Sequence, residues 1–191
     1  MNLSLIGIAD SWENALNTVF DKYDISTPLR KAAFIGQCAH ESSNFRVLQE
    51  NLNYSAQALA QLFPSRFPTM DMAIAYNRNP EKIANKLYNG RMGNTEDGDG
   101  WAFRGRGLIQ ITGRDMYSTV GDAMGLDLIS NPDLLLDPDN AAMSAGWFWN
   151  KKGLNALADA KNYEEMTKRI NGGLNGLADR ITRINNALVV V

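Results

Sequence analysis

Two glutamates, Glu41 and Glu50, stand nine residues apart in the stretch QCAHESSNFRVLQENLNYS, residues 37–55. Paired carboxyls can do acid/base work, one giving a proton and the other taking one from water. On one unbroken α-helix, nine residues turn through about 900°, which leaves the two on opposite sides and about 13 Å apart along the axis. Cooperation therefore needs a break in the helix. "ESSNF" supplies one, because three successive weak helix formers compete for backbone hydrogen bonds. The spacing predicts that Glu41 ends a helix and that Glu50 lies on the loop beyond, facing back across a cleft. Phe34, Ile35 and Cys38 precede Glu41, and desolvation by such neighbours favours a proton donor. Taken alone, two nearby glutamates read more simply as solvated surface.

Other chemistries are excluded by the residues themselves. His40-Glu41 would open a zinc motif, but position 44 is Asn44 and His40 is the only histidine. A Ser-His-Asp hydrolase would need a G-x-S-x-G elbow, which is missing. "GRGLIQ" lacks the third glycine of a dinucleotide fingerprint, and no G-K-[ST] occurs. Asp97 and Asp99 lack EF-hand spacing and read as a solvated turn. No metal and no cofactor are expected. His40 points about 100° away from Glu41 on a helix, so it is expected to make a structural hydrogen bond.

The elements that must carry the glutamates are mostly helices with start signals. Asp10 followed by Glu13 resembles a capping box ahead of residues 12–23. Thr27-Pro28 opens residues 29–44, Ser55 caps 56–63, and Thr69 caps 70–76. Asn79-Pro80 starts a helix through about Leu87, Asp137-Pro138 opens 139–150, and Gly153 closes it. A last helix covers roughly 177–188. Residues 89–107, "NGRMGNTEDGDGWAFRGRG", hold six glycines without helical period and read as one long loop. Its Trp101, Phe103, Arg104 and Arg106 argue that the loop is functional. "WAFRGRGLIQITG" is briefly strand-like.

The fold expected is mainly α: a single lysozyme-like helical domain over residues 1–191, as one body or as two lobes around a cleft, with little or no β structure. With 191 residues, 45% hydrophobic and 21% charged, the chain can bury a core without staples. The single cysteine, Cys38, allows no internal disulfide and reads as a small buried hydrophobe. A net charge of -2 argues against nucleic-acid binding. The start, "MNLSLIGIADSWEN", lacks a basic n-region, so no signal peptide is expected. Nothing approaches the run of roughly 18 apolar residues that spans a bilayer.

Five segments occur in order: "AFIGQCAHESSNF", "RGRGLIQITGRDMY", "NPDLLLDPDNAAMSAGWFW", "INGG" and "LADRI". Each is weak alone. Together, over roughly residues 30–188, they resemble glycoside hydrolase family 19, the chitinase and phage-endolysin family, and its compact endolysins most. The resemblance implies that Glu41 is the general acid and that Glu50 is the general base of an inverting reaction. That reaction needs carboxyls roughly 6.5–9.5 Å apart. It implies that Thr112 helps to position water and that Gln110 and Asn171 contact sugar. Arg180 belongs to the cleft network, where an arginine keeps a neighbouring base ionised. Tyr54 and Trp101 could stack on sugars or belong to the core. Arg104 and Arg106 could bind acidic groups on the substrate or pair with local aspartates. Met116 stands where many of the chitinases carry asparagine, and the region around Glu50 is shorter than in plant enzymes.

The function expected is an endolysin-type hydrolase cleaving β-1,4 bonds of peptidoglycan glycan strands, with a chitinase or an inactive glycan-binding module as alternatives. It would be a monomer, made in the host cytoplasm and reaching the wall once the membrane opens.

Overall fold

A computed structural model describes residues 1–191. In chain order its helices are α1 (Glu13–Lys22), α2 (Pro28–Glu41), α3 (Ala56–Leu62), α4 (Met70–Ile74), α5 (Pro80–Tyr88), α6 (Asp99–Ala102), α7 (Arg114–Met124), α8 (Pro138–Lys151), α9 (Leu154–Asp159), α10 (Tyr163–Asn171) and α11 (Leu177–Ala187). The fold is mainly α. Its only β pairing is two isolated antiparallel bridges, Gln49 with Arg106 and Arg106 with Ile111. No helix is long and apolar enough to cross a membrane.

The starts read from sequence hold where a side chain caps. Thr27, Ser55, Thr69, Asn79 and Asp137 each accept a backbone N–H of the first turn. The capping box at Asp10 does not form. Its carboxylate accepts the Ser4 N–H at 2.9 Å, and a short 3-10 turn leads into α1 instead. The strand-like stretch is not a strand, because left-handed Gly107 and Gln110 interrupt any ladder. Nor is the glycine-rich segment wholly loop, since it contains α6. The sequence reading also left out α7, α9 and α10.

The chain divides into two compact units, one of Met1–Leu48, Gly107–Gln110 and Asp133–Val191 and the other of Gln49–Arg106 and Ile111–Pro132. In the first, α1, α2, α8 and α11 surround Leu16, Phe20, Phe34, Ile35, Cys38, Trp149 and Ile184. Phe34 meets Trp149 edge-on at 5.4 Å and Phe20 at 5.8 Å. Truncating Phe34 would cost about 3–5 kcal/mol. Gly36 lets α2 and α11 cross closely, because a Cβ there would lie 2.7 Å from the Ile184 nitrogen. Cys38 is buried, as expected, and burial pushes its thiol up.

The second unit packs α3, α4 and α5 on Leu52, Leu59, Phe67, Ala73, Ile83, Ala84 and Leu87. Its glycine-rich segment is tied down by side chains. Buried Asn94 donates to the Tyr88 carbonyl at 3.1 Å and accepts the Arg114 N–H at 2.9 Å. Asn89 and Asn85 accept the N–H groups of Gly100 and Trp101. Asp99 is only 3% exposed and takes two bonds from Arg114. The Arg114 guanidinium holds the Asp99 carboxyl below the usual carboxylate range. Asp99 is therefore not solvated, whereas Asp97 is exposed as expected.

Candidate functional site

Helix α2 ends at Glu41, as the weak formers after it predict and three residues short of the 29–44 span read from its start signal. The chain then changes hand. Ser43, Asn44 and Phe45 have φ of 51°, 59° and 64°, three successive left-handed residues without a glycine. Such residues cost roughly 1–2 kcal/mol each. Local bonds and burial offset that cost. The Ser42 hydroxyl donates to the Cys38 carbonyl at 2.6 Å and accepts the Phe45 N–H at 2.9 Å. Phe45 is buried, edge-on to Trp12 at 5.1 Å. Arg183 donates to the Asn44 side chain.

Glu41 is half-buried and forms an ion pair with Arg180 of α11. Arg180 is itself 1% exposed. It also donates to Gln37 Oε1 at 2.6 Å and to the Asn175 carbonyl at 3.2 Å. Gln37 lies one turn before Glu41, so one guanidinium clasps two residues of a single α2 face. The sequence reading used Arg180 to keep a base ionised; its partner is the glutamate read as the acid. Asn171 is exposed, and its amide is engaged locally, donating to the Asn175 carbonyl at 3.0 Å and accepting the Gly173 N–H at 2.8 Å. It thereby shapes the carbonyl that Arg180 grips.

His40 bonds Asp179 at 2.6 Å, the structural role expected of it. Arg183 joins the same carboxylate, and these partners hold Asp179 below the usual carboxylate range. The imidazole packs against Gly176, where an added Cβ would sit 2.3 Å from Cε1. Half-buried Gln110 also belongs to this unit. Its φ of 53° is left-handed, and its amide donates to the Gly107 carbonyl at 3.1 Å.

Glu50 lies beyond the helix, on irregular chain in the second unit. Its backbone N–H donates to the Gly105 carbonyl at 3.0 Å, and the Gly105 N–H donates to Glu50 Oε1 at 2.5 Å. Tyr88, the last residue of α5, donates its hydroxyl to Oε2 at 2.7 Å. Burial, then the Glu50 bond, pushes the Tyr88 phenol up, so it stays a donor across the working pH range. A pocket of about 280 Å³ opens here, lined by Gln49, Glu50, Asn51, Leu52, Asn53, Pro80 and Trp101.

Trp101 thus shares a pocket wall with Glu50. The Arg104 guanidinium stacks 3.8 Å from its ring centroid. Arg104 is 8% exposed and donates to the Trp101 carbonyl and Gln49 Oε1, both at 2.8 Å. Arg106 is deeper still, donating to the Ala102 carbonyl at 2.7 Å and to the Tyr117 hydroxyl at 2.9 Å. Burial pushes the Tyr117 phenol up to about 12. Both arginines are buried. Tyr54 packs edge-on to Phe63 at 5.4 Å and rests on the unit's core. Thr112 is half-buried between Ile111, bridged to Arg106, and Gly113 at the head of α7.

The sequence reading missed Gln37, Asp179, Gln49, Gly105 and Tyr88. Gln37 carried a signal, four residues before Glu41 on the same helical face. The bonds of Tyr88 and Gly105 to Glu50 span 38 and 55 residues and had none.

The family model described as class I chitinase, glycoside hydrolase family 19, matches residues 15–157. A glycosyl hydrolase family 19 domain-containing protein of Haemophilus influenzae is 41% identical over 178 residues, 92% of this chain and 86% of that protein. Chitinase 11 of Oryza sativa is 52% identical over only 48 residues, 25% of this chain and 19% of its own. Among solved structures, a chitinase C mutant superposes with a TM-score of 0.65 at 20% identity, covering 98% of this chain and 88% of that one.

Proposed function

The chain belongs to glycoside hydrolase family 19 and is a glycosidase; from that premise we propose that it is an endolysin-type enzyme that cleaves the β-1,4 bonds of peptidoglycan with inversion. The observation that carries this reading is the pair of glutamates. We read Glu41 and Glu50 as the family's acid and base, and each carboxylate is fixed by directed donors.

In the reaction, Glu41 gives its proton to the glycosidic oxygen as the bond to the anomeric carbon breaks. Water attacks that carbon from the opposite face. Glu50 takes the water's proton, and Thr112 orients the water. One sugar leaves with a free hydroxyl, and the other gains an inverted anomeric hydroxyl. Inversion requires carboxyls about 6.5–9.5 Å apart, with room for that water. Trp101 and Tyr54 supply apolar faces for sugar rings, and Gln110 and Asn171 supply amides. No metal or cofactor enters in this reading, and the enzyme acts as a monomer. The enzyme accumulates in the host cytoplasm and meets the wall once the membrane opens.

Peptidoglycan is preferred to chitin because of compactness. The region around Glu50 is short, Met116 replaces a sugar-contacting asparagine, and no cysteine pair braces longer loops. The second reading, a chitinase, is favoured by the plant chitinases among its relatives. Purified peptidoglycan and chitin hexasaccharide, assayed side by side, decide between them. Mass spectrometry of the released reducing ends identifies the bond cut. Glu41→Gln is expected to lower kcat on peptidoglycan by roughly 10²–10⁴. Wild-type turnover by that variant would remove the acid assignment, and turnover of chitin alone would remove the substrate. Sugar binding without turnover of either would leave a glycan-binding module.

A further inference from the structure

We propose that Tyr88 is the positioning residue of the catalytic base: its hydroxyl, with the Gly105 N–H opposite, fixes the Glu50 carboxylate in the plane from which it can take a proton from water. This rests on the reading of Glu50 as base. Three observations meet. The hydroxyl donates to Oε2 at 2.7 Å while the Gly105 N–H donates to Oε1 at 2.5 Å, so the carboxylate cannot rotate without losing a bond. A carboxylate has about four lone-pair sites. Two donors leave the rest open to water. Tyr88 is itself fixed, ending α5 with its carbonyl held by buried Asn94 at 3.1 Å.

The type of donor matters. A phenol orients a carboxylate without cancelling its charge, whereas a guanidinium adds a full positive charge beside it. A base must keep its appetite for a proton, so a neutral holder suits Glu50. Tyr88 need not touch substrate and transfers no proton of its own. It acts through Glu50 alone.

The test is Tyr88→Phe, which keeps the ring and removes the hydroxyl. kcat is expected to fall about tenfold to a hundredfold with KM nearly unchanged, since a hydrogen bond to a charged group is being lost. The acid-side limb of the kcat/KM profile should move to higher pH. Tm should fall by only about 2–4 °C. An unmoved acid-side limb overturns the proposal, whatever the rate. So does a moved limb with unchanged kcat when Glu50→Gln is inactive. If Glu50→Gln turns over at the wild-type rate, the base reading fails instead, and the orientation of the Glu50 carboxylate in a Tyr88→Phe crystal structure still decides whether Tyr88 holds Glu50.

Discussion

Glu41 closes a fourteen-residue helix and is gripped by a buried guanidinium, whereas Glu50 sits on irregular chain and takes its bonds from a phenol and a backbone amide. The first carboxylate is placed by the packing of two long helices. Gly36 lets them approach, and Arg180 reaches from one to the other. The second is placed by a distant stretch of chain, Gly105, pairing with its backbone and carboxylate, with Tyr88 as a brace from a helix end. Charge and periodic packing fix one; dipoles and sequence-distant backbone fix the other. Loss of the first holder should therefore harm the fold as well as the reaction, and loss of the second should harm chiefly the reaction.

Arg180→Ala breaks this comparison most directly. It leaves Glu41 and Gln37 without their buried partner and is expected to cost about 3 kcal/mol. Chemical denaturation would measure it, with activity lost in parallel. A cost no larger than that of Tyr88→Phe would show that the two carboxylates are held alike. Gly176→Ala tests the helix pairing behind Glu41. Its φ of 72° and the imaginary Cβ 2.3 Å from His40 predict a loss of about 2 kcal/mol. Adding His40→Ala should recover the part due to the clash.

In the other unit, Asp99→Asn removes the charged bonds to Arg114 and should cost about 1–2 kcal/mol. The same pair predicts a pH effect. The folded Asp99 carboxyl lies below its ordinary 3.8. Its contribution is therefore complete above that value and is lost as pH falls through the lowered folded one. Wild-type stability should drop between about pH 5 and pH 2, and less steeply in Asp99→Asn. The smallest effect should come from Asp179→Asn. That carboxylate is 48% exposed, and exposed pairs contribute below about 1 kcal/mol.

The sequence made legible what local physics decides. Side-chain caps announced five helices correctly, and three weak formers announced where Glu41 must stop. Helices headed by glycine were harder to see. Gly113 and Gly153, with φ of 89° and 63°, precede α7 and α9. A glycine there usually marks an end, and Gly153 marks both an end and a beginning. Helix α10 did carry a readable start, since Asn162 accepts the Glu165 N–H. Partners of Glu50 were not legible, because nothing local links residue 50 to residues 88 and 105.

Composition alone would mark residues 89–107 as a linker, a place where a protease enters first. The structure predicts otherwise. Cleavage requires a segment to leave its bed and extend into the enzyme. Here that departure would unmake the Asn94, Asn89 and Asn85 bonds and the Asp99–Arg114 pair together. The chain would keep its most glycine-rich stretch intact until the whole unit opened.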